Sequence, residues 1–253
     1  MNRINIIRNW LFLLLGVGLA ACQEEQLTEY QNDPRLSFGA EQDSVVVQSF
    51  FVIKSGIDRD TVLLRVETLG FPVDYDRPFS VVQTNVGEEN AAVAGKHYLD
   101  FDAPEISTKL VIPAGQVETD IPVIALRDKS LQQGIYSLRL EIRENEYFKP
   151  GLLDHTSCLV RLSDQADKPD LWDTFWVTYF GKWNSIKMKF IIDYVGLTDF
   201  EEVPADYSYS VYLNKKANQQ LLDYNAAHPG NPLCTDHNPA LEQCDNCITF
   251  PKM

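Results

Sequence analysis

Between Val45 and Leu162 the apolar residues of this chain recur at every second position in short runs, a period that admits little besides β-strands. In the first run Val45, Val47, Ser49, Phe51 and Ile53 alternate with Val46, Gln48, Phe50 and Val52, so one face is richly apolar and the other largely so. Similar runs follow at 61–67, 79–84, 107–112, 119–126, 136–142 and 157–162, with Gly, Pro, Asp and Asn between them. Strands at this spacing, with no amphipathic helix between them, predict an antiparallel β-sandwich over 44–165 and argue against a parallel α/β sheet. Val62, Leu64, Val66, Ile121, Val123, Leu138 and Leu140 are its expected core.

At Pro169 the period changes. Leu171, Trp172, Phe175, Trp176, Tyr179 and Phe180 fall at i, i+1, i+4, i+5, i+8 and i+9, which places large rings on one helical face that ends at Gly181. A second helix is expected over 185–195, ended by Gly196, and a longer polar one over 207–227 before Pro229-Gly230. Thr198 and Glu201 have capping-box spacing. The expected fold is therefore mainly β, with an α-helical domain at 166–253 whose tail is rich in cysteine. Two readings compete for the rings. Trp172, Trp176, Tyr179 and Trp183 would make a platform for sugars if exposed, but amphipathic spacing favours packing against the sandwich.

The first 21 residues have the order of an export signal: Arg3 and Arg8, then an apolar stretch from Trp10 to Leu19, then Ala20 and Ala21. The stretch is short for a membrane span, which needs ~20 apolar residues. Leu19-Ala20-Ala21-Cys22 resembles the lipobox of bacterial lipoproteins, which implies cleavage before Cys22 and its diacylation; the alternative is an ordinary secretory signal with an incidental cysteine. Gln23, Glu24 and Glu25 resemble the acidic signal that sends Bacteroidetes lipoproteins to the outer face of the outer membrane, and a charged spacer would look the same. Residues 22–43 read as the acylated cysteine and a flexible tether, with Asn32-Asp33-Pro34 as a turn. Removing the signal takes away two arginines and no acid, so the formal charge moves from −14 to −16. Such a chain does not suit nucleic acid or anionic lipid, which require a basic surface.

The segments AGKHYLDF, KLVIPAGQVETDIPVIALRD and GIYSLRLEIREN, in that order, resemble Calx-beta and related immunoglobulin-like sandwiches. In those families aspartates at the sheet ends can hold calcium, which makes Asp74, Asp76, Asp100, Asp102 and Asp128 the candidates; turn capping is the competing role. At the carboxy terminus Cys234, His237, Cys244 and Cys247 form two C-x-x-[C/H] half-sites. A disulfide ranks first there, because an exported chain meets oxidising conditions, then tetrahedral zinc, then redox chemistry. No cofactor is otherwise expected.

The four histidines, His97, His155, His228 and His237, form no H-E-x-x-H, and neither G-x-S-x-G nor a phosphate-binding glycine loop is present in the sequence. Lipobox, acidic signal, sandwich and KPDLWDTFWVTYFGKWNSIKMKFI together resemble Bacteroidetes surface lipoproteins that carry a widespread domain of unknown function. The resemblance implies a place beside SusC/SusD-type uptake systems. The expected function is therefore a non-enzymatic, lipid-anchored component of the outer membrane that binds a glycan or peptide. A structural adhesin and a zinc-dependent hydrolase are the alternatives.

Overall fold

The structure is a computed structural model that describes residues 33–39, 45–151, 155–235 and 246–253. Two four-stranded sheets face each other. The first has the order β7-β3-β1-β9, with β1 at Arg35–Phe38, β3 at Arg59–Leu69, β7 at Glu118–Leu126 and β9 at Lys149–Pro150. The second has the order β2-β10-β8-β5, with β2 at Val45–Ser49, β5 at Ser80–Gln83, β8 at Tyr136–Arg143 and β10 at Ser157–Ser163. A short ribbon pairs β4 (Arg77–Pro78) with β6 (Val111–Ile112). The pairings β3·β7, β1·β3, β8·β10 and β5·β8 are antiparallel, whereas β1·β9 and β2·β10 are parallel.

The period-two pattern fixes which face turns inward. Leu138, Leu140 and Ile142 of β8 are buried, while Arg139 and Arg143 between them are exposed. Leu64 and Val66 of β3 meet Ile121 and Val123 of β7 in the same fully buried cluster, and Val62 is partly buried against it. Strand β7 is buried on both faces from Ile121 to Ala125. Residues 97–99 run along its open edge, with Leu99 N–H donating to the carbonyl of Ile124 and Leu126 N–H to that of His97, and Tyr98, Phe101 and Ile106 of the short helix α1 (Pro104–Ser107) join its apolar cluster.

Three local expectations need correction. Residues 35–38, read as tether, are an inner strand with Leu36 and Phe38 buried; four residues beside a turn signal carry too little period to be recognised. Gly151 lets β1 and β9 approach, since an added Cβ there would lie 2.7 Å from Cβ of Ser37. Residues 107–112, read as one strand, divide into the end of α1 and the two residues of β6, because Pro104 starts a helical turn that Thr108 closes by donating to the Pro104 carbonyl. The first run stops at Ser49: the Ser49 hydroxyl accepts from Phe51 N–H, and Phe51 and Val52 leave the sheet.

Helix α2 joins a π-helical turn at Trp172–Trp176 to an α-helical turn at Val177–Phe180. Helix α3 runs from Ser185–Phe190 into a π-helical turn at Ile191–Val195, and α4 is Tyr207–Ala227. Asn184 caps α3, Gly181 and Gly196 end α2 and α3 at φ 75° and 85°, and Asp206 caps α4. Thr198 and Glu201 form no cap; Glu201 instead accepts from Asp170 N–H. The helices enclose a second apolar cluster around Trp172, Trp176, Phe180, Ile191 and Leu213, into which Ile248 and Phe250 fold back. The rings thus pack chiefly among the helices, with Phe51 and Val52 packed against their edge from the sandwich side. Pro34–Met253 is a single compact unit that contains both clusters.

Candidate functional site

The chain crosses between the two clusters twice, in the loop after β2 and in the segment after β10, and the side chains there are tied together. Asp164, the residue after β10, is nearly buried and accepts from Nε and Nη2 of Arg127 at 3.0 and 2.9 Å. Gln132 donates to the same carboxylate at 3.3 Å, and the Arg127 guanidinium lies over the Phe50 ring. From the helical side, Nζ of Lys189 on α3 donates to the carbonyls of Ile53 and Phe51 at 2.6 and 3.3 Å. Burial pushes the Lys189 ammonium below its ordinary pKa, against the opposing pull of Asp193 at 3.5 Å. Asp193 in turn accepts from the backbone and hydroxyl of Ser55, both at 2.7 Å. The loop is therefore held by charge-assisted bonds as well as by Phe51 and Val52.

This arrangement leaves a cleft of about 750 Å³ beneath the loop. Phe51, Val52, Ile53, Ile57, Met188 and Phe200 supply apolar lining, and Asp167, Lys168, Asp199 and Glu201 add charged groups. A cleft of this size between two packed parts, apolar inside with a few polar groups, is the usual form of a small-ligand site. A more polar cavity of about 500 Å³ adjoins it, lined by Arg127, Asp164, Ser55, Ser185 and Lys189.

The domain of unknown function DUF4843 matches residues 22–197, which include the sandwich, α2 and α3. The chain belongs to the DUF4843 family. No curated protein matches it. Solved structures similar to this DUF4843 chain include a two-domain protein of unknown function from Bacteroides fragilis, at 12% identity and TM-score 0.33, with 53% of this chain and 46% of the other covered. Another is a protein of unknown function from Bacteroides ovatus, at 17% identity and TM-score 0.36, with coverage of 50% and 43%. A candidate carbohydrate-binding protein from Bacteroides ovatus matches at 17% identity and TM-score 0.32, with coverage of 52% and 37%. The DUF4843 chain spans less than half the length of each of these.

In this DUF4843 structure the residues singled out in the sequence are dispersed. Cys22, Gln23, Glu24, Glu25, His237 and Cys244 lie outside the described residues. Cys234 is disulfide-bonded, and its Sγ also lies 3.1 Å from Sγ of Cys247, a contact distance. Asp76 accepts from Ala114 N–H, Asp100 accepts from Asp102 N–H, and Asp74 is exposed. Asp128 accepts from both the backbone and the hydroxyl of Ser130, bonds that pull its carboxyl down to about 2. The carboxylates of Asp76, Asp100 and Asp128 thus hold loop backbone, and among the described residues no three His, Cys, Asp or Glu side chains gather for a metal. Asp100 and Asp102 do share a cavity of about 530 Å³ at one end of the sandwich with Tyr98, whose hydroxyl donates to Gln83 and is pushed up to about 12 by burial and by Asp100.

Of the two readings of the aromatic rings, burial holds and the exposed platform does not. Trp172 and Trp176 are fully buried, Tyr179 nearly so, and Trp183 partly buried. The indole N–H groups of Trp172 and Trp176 are also committed, to the carbonyls of Gly181 and Phe200 at 3.0 and 2.8 Å. Sequence reasoning missed the cleft because Phe51 and Val52 continue a strand-like alternation, and nothing local announces their meeting with Met188 and Phe200.

Proposed function

We propose that this DUF4843 chain is a non-enzymatic, lipid-anchored protein of the outer cell surface whose junction cleft seats part of a glycan or peptide ligand. The observation that carries this reading is the cleft itself, with apolar Phe51, Ile57, Met188 and Phe200 beside charged Lys168, Asp199 and Glu201. That mixture suits a ligand with both apolar and polar faces. The lipobox ending in Cys22, followed by Gln23, Glu24 and Glu25, supports the anchor and its outward orientation. On this reading the sandwich is a relative of Calx-beta and immunoglobulin-like modules, and the protein works beside a SusC/SusD-type transporter without a cofactor.

The test uses the full chain in detergent, screened against soluble neutral polysaccharides and peptide libraries, together with an Ile57→Glu variant. Ile57 lines the cleft and is 44% exposed, so a carboxylate there should spoil the apolar surface with little effect on folding. Binding by the native chain that falls at least tenfold in Ile57→Glu, and co-purification with transporter components from outer membranes, are the expected results. Failure to bind any member of either library overturns the reading.

A further inference from the structure

Helix α4 carries an aromatic surface that packing does not explain. Its buried positions are Ser210, Leu213, Asn214, Ala217 and Leu221, which follow one helical face. Tyr207, Tyr209 and Tyr212 lie away from that face and are 69%, 48% and 55% exposed. Tyr209 and Tyr212, three positions apart, hold their rings 6.2 Å apart at 23°. Tyr207 leans on the buried Tyr179, with centroids 6.3 Å apart. Each of these side chains has a large apolar area, of order 150–250 Å², of which folding has left roughly half or more in water. Adjacent exposed apolar surface of this kind marks an interaction site.

The charge pattern selects the partner. Residues 207–214, YSYSVYLN, contain no Asp, Glu, Lys or Arg, in a chain with 36 acids and 22 bases. Tyr207, Ser208, Tyr209 and Tyr212 therefore present rings and hydroxyls without formal charge. We infer that the first two turns of α4 are a stacking platform for a neutral oligosaccharide, separate from the junction cleft. The C–H face of a pyranose lies on an aromatic ring, its hydroxyls reach the phenol and serine oxygens, and neither partner has a charge to strip of water. A charged polymer finds no countercharge on these side chains, and the net charge of −14 opposes polyanions further. Because Tyr209 and Tyr212 are already aligned, little side-chain freedom remains to be lost on binding.

Native affinity electrophoresis of the full chain in detergent, through gels containing mannan, laminarin, xyloglucan or dextran, with polygalacturonate as the charged control, tests the platform. At least one neutral polymer should retard the native chain. Tyr209→Ala/Tyr212→Ala should weaken that retardation at least tenfold, Tyr212→Ala severalfold, and Tyr209→Phe/Tyr212→Phe less than threefold, all with unchanged melting temperature. The inference is overturned if no neutral polymer retards the native chain, if polygalacturonate alone does, or if the double alanine variant binds as well as native. Loss in Ile57→Glu with full binding in the double alanine variant refutes the platform and leaves the cleft standing. The reverse pattern supports the platform and refutes the cleft as the site for that polysaccharide.

Discussion

The sandwich and the helical part both enclose a buried apolar cluster, but they satisfy their backbones by different means. In the sandwich, long ladders such as β3·β7, from Arg59↔Leu126 to Glu67↔Glu118, pair the backbone with itself, and the side chains are left to fill space. Helices α2 and α3 are short and end in or begin with π-helical turns, so side chains supply many of the missing bonds. Trp172 and Trp176 donate to the carbonyls of Gly181 and Phe200, and buried Lys187 donates to those of Phe180 and Lys182. Asn214 of α4 reaches the carbonyls of Tyr179 and Pro251. Such short helices are marginal without tertiary support, so this half of the molecule depends on individual polar atoms where the sandwich depends on pattern.

The largest expected effect follows from that contrast. Trp176→Ala removes a fully buried ring and leaves the Phe200 carbonyl without its indole donor, and should cost ~3–5 kcal/mol in urea unfolding. In the sandwich, Ile121→Val at an equally buried position should cost only ~0.5–1.5 kcal/mol. Equal losses would break the comparison. Asp164→Ala, at the seam between the two parts, leaves the Arg127 guanidinium without its paired carboxylate and should cost about 3 kcal/mol. Its companion Asp164→Asn should recover part of this by keeping a hydrogen-bond acceptor. Asn214→Ala should cost ~1–3 kcal/mol, since two carbonyls lose a buried donor, and loss of hydrogen-exchange protection should concentrate in α2 and residues 246–253.

The smallest effect is on pH dependence, and it belongs to the sandwich. Backbone N–H of Val93 donates to Nδ1 of the fully buried His97, so Nε2 carries the proton toward Ser130 Oγ, 2.8 Å away. Burial, reinforced by Lys96, lowers the His97 pKa from its ordinary 6.5. The unfolded chain therefore binds the proton more readily, and this group's stabilisation is complete above pH 6.5 and falls as pH drops below it. Asp128 acts in a lower window: its contribution is present above 3.8 and is lost as pH falls toward about 2. His97→Asn should flatten the stability profile below pH 6.5 while leaving the lower window in place.

The sandwich was legible because a period of two at Leu64, Val66, Leu138 and Leu140 has only one structural meaning when repeated along a chain. The helices were legible from ring spacing and from Gly181 and Gly196, whose positive φ values end them. Strand β1 was not, because pairing with β3 and β9 determines it more than its own four residues do. Burial of the Trp172 and Trp176 face was legible from its spacing, but what covers it was not: the rings pack chiefly among the helices, a partner that only the fold supplies. Tyr209 and Tyr212, at i and i+3, were likewise visible as a one-turn pair, within a helix read as simply polar. The cleft lay furthest from view, since it joins Phe51 to Phe200, residues far apart in the sequence and on opposite sides of the sandwich-to-helix boundary.

The most direct test of the junction as a binding site is hydrogen exchange on the full chain in detergent, with and without the polysaccharide or peptide that it retains in the screen. Slower exchange on ligand addition at residues 51–57 and 198–201, absent in Ile57→Glu, is the predicted result. Unchanged exchange in both segments under saturating ligand would contradict it.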